Sequence, residues 1–132
     1  MKVNIQGKIA TVKTMVDNTN VAKTVGSGSL DVFSTPMMIA LMEKAACAVF
    51  EEAGALETGE TTVGTKISVE HIAATATGAE VSASAKAEAV NGRMVEFTVT
   101  AFEGDKKIGF GTHTRAVIDA ERFMAKLTAQ GF

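Results

Sequence analysis

Tryptophan and tyrosine are absent from this chain, and all seven of its aromatic side chains are phenylalanine. No stacking platform for bases is visible, and a net charge of −2 supplies no field that would draw in nucleic acid or an anionic membrane surface. Cysteine is nearly absent too. The single Cys47 cannot form an internal disulfide, and among the alanines that flank it, it reads as a small buried apolar residue rather than a nucleophile. The two histidines, His71 and His113, have no paired Cys or His at ligand spacing, so no metal site is called for. A Gly-x-Ser-x-Gly signature is missing. No run approaches a membrane span, and residues 1–10 have no apolar stretch of signal-peptide length, which makes the cytoplasm the expected compartment.

What remains is an ordinary globular composition, 46% apolar and 21% charged. It is expected to form a single domain over residues 1–132, long enough to bury a core. The chain is organised around residues 33–52, FSTPMMIALMEKAACAVFEE, which predict one long helix. Ser34 and Thr35 are both good N-cap residues, and Pro36 suits the first helical position. Met38, Leu41, Met42, Ala45, Ala48 and Val49 recur at three- and four-residue spacing and form one apolar stripe. Gly54 ends the helix. Glu43 stands beside that stripe, either snorkelling to water or serving a polar task.

Around this helix the pattern is one of strands. Residues 3–16 alternate loosely, with an interruption near Gly7, and residues 17–20 and then 25–29, Val25-Gly26-Ser27-Gly28-Ser29, are turn chemistry. That loop has neither the Lys-Ser/Thr ending of a P-loop nor dinucleotide-fold spacing, and reads as a mobile entrance segment. Residues 61–72 alternate, with Val63, Thr65, Ile67, Val69 and His71 on one face. Residues 80–90 present Val81, Ala83, Ala85, Ala87 and Ala89, and residues 94–102 present Val95, Phe97, Val99 and Ala101. Asn91-Gly92 predicts a type I′ hairpin turn, and Gly104-Asp105 a second tight turn. Residues 107–119 put Ile108, Phe110, Thr112 and Thr114 on one side and His113 and Arg115 on the other, and residues 120–127 predict a short terminal helix. The fold class is therefore α+β, an antiparallel curved sheet wrapped around one long helix, with strands joined largely by hairpins. An open edge and one poorly covered face predict a homodimer.

The polar residues that could hold chemistry are Ser34, Thr35, Glu43 and His71. Thr35 and Glu43 are about 12 Å apart along a helix and about 80° apart in azimuth, so they meet only around a ligand or across an interface. Spacing alone leaves plainer readings open: Thr35 as an N-cap, Glu43 as a solvated carboxylate, His71 as a hydrogen-bonded core histidine.

Thr35-Pro36, Glu43 eight residues on, Val63-Gly64-Thr65, Val69-Glu70-His71-Ile72 and Gly111-Thr112-His113-x-Arg115 together resemble the fluoroacetyl-CoA thioesterase-like family of hotdog-fold proteins. The resemblance runs from about Val12 to Phe123. It implies a hotdog dimer, with further pairing to a tetramer open, that hydrolyses a small acyl-CoA thioester with a Thr–Glu–His set falling on Thr35, Glu43 and His71 at the dimer interface. Coenzyme A would enter only as part of the substrate, with no other cofactor. The family member specific for fluoroacetyl-CoA carries an aromatic lid where this chain has Gly26–Ser29 and only Phe33, which implies a broader acyl-CoA substrate.

Within that reading His71 is the expected general base or acid. Glu43 would orient His71 or attack the carbonyl, and Thr35 would position Glu43 or water, or itself attack. Backbone N–H groups at the helix start or at Gly64 are expected oxyanion donors. Gly64 is also expected to leave room for the pantetheine arm, Phe33 to line the substrate site, and His113 and Arg115 to contact CoA phosphates. Two alternatives remain at this point: an enoyl-thioester hydratase on the same fold, and a non-catalytic acyl-CoA binding or sensing module.

Overall fold

A computed structural model describes residues 1–129, so the last three residues of the expected 1–132 domain lie outside the described ones. The elements are β1 (Ile9–Met15), α1 (Ala22–Val25), α2 (Thr35–Ala53), β2 (Glu60–His71), β3 (Glu80–Asn91), β4 (Met94–Glu103), β5 (Lys106–Asp119) and α3 (Ala120–Ala129). The five strands form one antiparallel sheet in the order β1-β3-β4-β5-β2. Hairpins join β3 to β4 and β4 to β5. β2 instead lies at the far edge beside β5, so its link to β3 crosses the sheet rather than turning back on itself.

The sheet curves around α2, whose stripe of Met38, Leu41, Met42, Ala45, Ala46, Val49 and Phe50 is buried. Each fully buried methionine or phenylalanine here removes enough apolar surface from water to contribute about 1.5–3 kcal/mol. The helix lies mainly over β1 and β3. There Ala83, Ala85 and Ala87 are fully buried beneath it and Ala45 and Ala46 face back, so small side chains on both sides bring helix and sheet close together. Gly54, in the left-handed region at φ 59°, ends the helix.

Four sequence expectations are corrected. Val25, read as the start of a turn segment, instead ends a short helix over Ala22–Val25. The first hairpin turns on Gly92-Arg93, because Asn91 pairs with Met94; Gly92 alone has positive φ (63°), the pattern of a type II′ turn rather than I′. In β5, a register irregularity opposite Ala101 and Phe102 absorbs Ile108, which is buried. His113 and Arg115 then share the inward face with Val117, and Phe110 and Thr112 turn out. In β2, a shift between Gly64 and Lys66 changes the phase of the strand. Gly64, paired with Arg115, lies on the inner face with Ile67, Val69 and His71, while Val63 and Thr65 leave it. As an edge strand beyond the helix's cover, β2 leaves Ile67 37% exposed.

Candidate active site

The local sequence at the start of α2 explains why Thr35 is free for chemistry. Ser34 is the N-cap, its Oγ accepting the Met37 N–H at 3.3 Å, and its own N–H donates to Asn20 O. Asn20 is buried and anchors the approach to the helix: its amide donates to Met15 O and its Oδ1 accepts from the Asp17 N–H. Pro36 has no N–H to satisfy. With the cap supplied by Ser34, the Thr35 hydroxyl lies 2.8 Å from His71 Nδ1.

His71 ends β2 and stands edge-on to the Phe33 ring at 6.4 Å between centroids. Burial holds its pKa below the ordinary imidazole value, against an opposing pull from the Ala73 backbone. Its Nε2 is buried without a hydrogen-bond partner among the described residues. A cavity of about 410 Å³ opens directly on this pair, walled by Ser29, Leu30, Val32, Phe33 and Ile72. Phe33, itself buried, lines it as expected.

Glu43 is not there. Its Oε2 sits over Gly64, 3.3 Å from Arg115 Nη1 and 3.9 Å from His113 Nε2. Within one chain the residues Thr35, Glu43 and His71 thus divide into a Thr35–His71 pair and a separate Glu43–Arg115–His113 cluster. The space that Gly64 leaves is taken by this cluster: a methyl there would lie 2.8 Å from Glu43 Oε2, 3.2 Å from His113 Cε1 and 3.3 Å from Arg115 Nη1. Gly64→Ala is accordingly expected to push Glu43 and Arg115 apart and lower turnover by about 10-fold or more while the sheet stays folded, read by steady-state kinetics beside a circular dichroism melt. Unchanged turnover would show that the carboxylate's seat does not matter.

His113 and Arg115, expected to meet CoA phosphates, are 2% and 7% exposed. The Arg115 donors are committed inside the protein, Nε–H to Thr62 Oγ1 and Nη2 to Thr62 O. The phase of β5, which turns both side chains under α2, is the physical reason. Burial also depresses the pKa of His113, with the Arg115 charge acting in the same direction and the Lys66 carbonyl and Glu43 against it.

Two depressed imidazoles give a pH dependence of stability with a definite sign. The unfolded chain binds protons at ordinary histidine values near 6.5, before the folded one does. Stability is therefore full above that value and falls as pH drops through the lower folded values. Melting temperatures should hold level from pH 8 to 7 and decline from about 6.5 downward, less steeply in a His113→Asn variant. A melting temperature that rises on acidification over that range would contradict the burial of these rings.

The antiparallel sheet wrapped around a single long helix is the hotdog fold of the thioesterases. The family of fluoroacetyl-CoA-specific thioesterases (FlK) matches residues 16–121. The fluoroacetyl-CoA thioesterase of Streptantibioticus cattleyicolor is 45% identical over 97 residues, 74% of this chain and 68% of that protein. A point mutant of the fluoroacetyl-CoA-specific thioesterase FlK superposes with a TM-score of 0.89 at 34% identity, covering 98% of this chain and 99% of that one. Another FlK mutant, solved in complex with acetyl-CoA, gives 0.85 at 35% identity over 95% and 97%. This chain belongs to the fluoroacetyl-CoA-specific thioesterase family.

The bulge at Gly64, which sets the inner face of β2, was missed by alternation alone. A glycine inside a strand was its sequence signal.

Proposed function

We propose that the protein hydrolyses small acyl-CoA thioesters to the free acid and CoA, in the cytoplasm where such esters are found. The observation that supports this most directly is the 2.8 Å contact between the Thr35 hydroxyl and His71 Nδ1 at the mouth of the cavity. A hydroxyl in hydrogen-bond reach of a base kept neutral by its surroundings is the arrangement of an activated nucleophile. Thr35 Oγ1 attacks the thioester carbonyl as His71 Nδ1 takes its proton, and that proton passes to the sulfur as the C–S bond breaks. Water then releases the acid from Thr35 by the same base. The Thr35 N–H, at the positive end of α2 and without a partner among the described residues, is placed to donate to the developing oxyanion.

Glu43 joins this site from a second copy of the chain. β2 is an unpaired edge, and an edge of this kind is completed by another strand. Gly64 and His71 lie seven residues apart on β2, but the bulge at Thr65 takes one of these, so the middle of that stretch falls at Ser68. Antiparallel pairing of β2 with its own copy about a dyad there brings each His71 level with Gly64 of the second copy, and with it that copy's Glu43.

The substrate class follows from the walls. Among the described residues Phe33 is the one phenylalanine that lines the cavity, and Ser27, Gly28 and Ser29 form part of its wall. Acyl groups beyond fluoroacetyl, such as acetyl and short or branched chains, should be admitted. Free-thiol release across short, branched, aromatic and fluorinated acyl-CoAs tests both statements. Release with several short acyl groups is expected, and none with any member of the panel would defeat the hydrolase reading.

A further inference from the structure

His113 is the one histidine the proposed chemistry does not use, and it is among the most buried polar side chains of the protein, at 2% exposure. Its ring stacks on Phe97 with centroids 6.3 Å apart. Nδ1 lies 2.7 Å from the Lys66 carbonyl oxygen, an atom that only accepts, so the ring proton sits on Nδ1. Nε2 is then a bare lone pair, and the group 3.2 Å away from it is Arg115 Nη1, which only donates. A second proton on the ring would set donor against donor and cation against cation. Nη1 has two hydrogens; one goes to His113 Nε2 and the other to Glu43 Oε2 at 3.3 Å. The remaining Arg115 contacts go to Thr62. Among the described residues, the charged and titratable groups facing His113 are thus Arg115 from its own strand and Glu43 from α2, while β4 presents the Phe97 ring and β2 the Lys66 carbonyl and Gly64.

From this geometry we infer that His113 is a positioning residue: a fixed neutral acceptor that locks the Arg115 guanidinium in the plane where Nη1 meets Glu43, and so fixes the carboxylate for thioester hydrolysis. The inference rests on the hydrolase reading for its last step, and on geometry alone for the lock. The histidine touches no substrate. It acts through the arginine: Thr62 holds Nε and Nη2, while Nη1 has only His113 and Glu43, so without the imidazole the one tie left on Nη1 is the exposed carboxylate, which is then free to swing away from Gly64.

Two substitutions separate the ring's two ends. His113→Asn keeps a donor near the Nδ1 position for the Lys66 carbonyl but reaches no further, whereas His113→Gln extends an amide oxygen toward the Nε2 position. Nitrogen-resolved NMR of the Arg115 guanidinium in the full-length protein reads the lock without reference to activity. Separate, slowly exchanging Nη signals are expected in wild type and in His113→Gln, and averaged signals in His113→Asn. In kinetics, His113→Asn should lower kcat by about 10-fold with KM within about twofold, and His113→Gln should recover most of the loss. If the two variants behave alike in both readouts, whether near wild type or equally damaged, the lock does not exist. A wild type inert toward every acyl-CoA would instead remove the hydrolase reading, and the Arg115 signals would still decide for or against the lock.

Discussion

His71→Ala is expected to lower free-thiol release by roughly 100-fold or more, the range that loss of a positioned general base produces. The argument begins with burial. Desolvation keeps the ring neutral to lower pH than an exposed histidine, so one ring nitrogen holds a lone pair through the neutral range, and in the tautomer the proposed chemistry uses that nitrogen is Nδ1, facing Thr35. The acid limb of the wild-type kcat/KM profile should therefore fall below the ordinary imidazole value of about 6.5, and the residual activity of the variant should lack that limb. His71→Gln serves as a companion, because it keeps a polar side chain at the site without supplying a base. Both variants should melt near the wild-type temperature, since His71 ends an edge strand rather than filling the core. Activity within a few-fold of wild type in both, in folded protein, would return His71 to the role of a hydrogen-bonded structural residue.

The second large effect concerns a mixture. His71→Ala and Glu43→Ala, each nearly inactive as purified, should regain about a quarter of wild-type activity when unfolded together and refolded at equal amounts. Random pairing makes about half the dimers mixed. In each mixed dimer one site combines an intact His71 from one chain with an intact Glu43 from the other, and the second site has neither. The recovery arises only if the two residues of one site come from different chains. A site built within a single chain gives no recovery, because each chain then carries one lesion in its own site. The separation observed within one chain, Glu43 bound to Arg115 while Thr35 meets His71, is what makes recovery the expected result.

Much of this was legible in the sequence. The apolar stripe from Met38 to Val49 defined α2, and Ala83, Ala85 and Ala87 of β3 together with Val95, Phe97 and Val99 of β4 defined the inner face of the sheet, because one buried side imposes a simple period. The thioesterase family was legible through the spacing of Thr35, Glu43 and His71. What alternation could not give was the phase of β2, β3 and β5 beyond their irregularities at Gly64, Glu88 and Ile108; in β3 the shift sets Ala89 opposite Glu96 and turns Val90 inward in its place. One extra residue reverses every side chain after it, so Arg115 and His113 read as surface groups although both are buried. Likewise Ser34 and Thr35 look equivalent as caps. Only the geometry of the first turn shows that Ser34 takes the cap and leaves the Thr35 hydroxyl to His71.

The alanine layer between α2 and β3 has a meaning beyond packing. Thr35 and Glu43 ride on the helix, while His71, Gly64 and Arg115 belong to the sheet, so the thickness of that layer is the gauge on which every helix-to-strand distance in the proposed chemistry depends. Widening it by a single methylene at Ala85, remote from either polar cluster, would lift the nucleophile from its base and the carboxylate from its arginine together. Selection on catalysis would then be felt as a limit on the size of core side chains, in positions that touch no substrate at all.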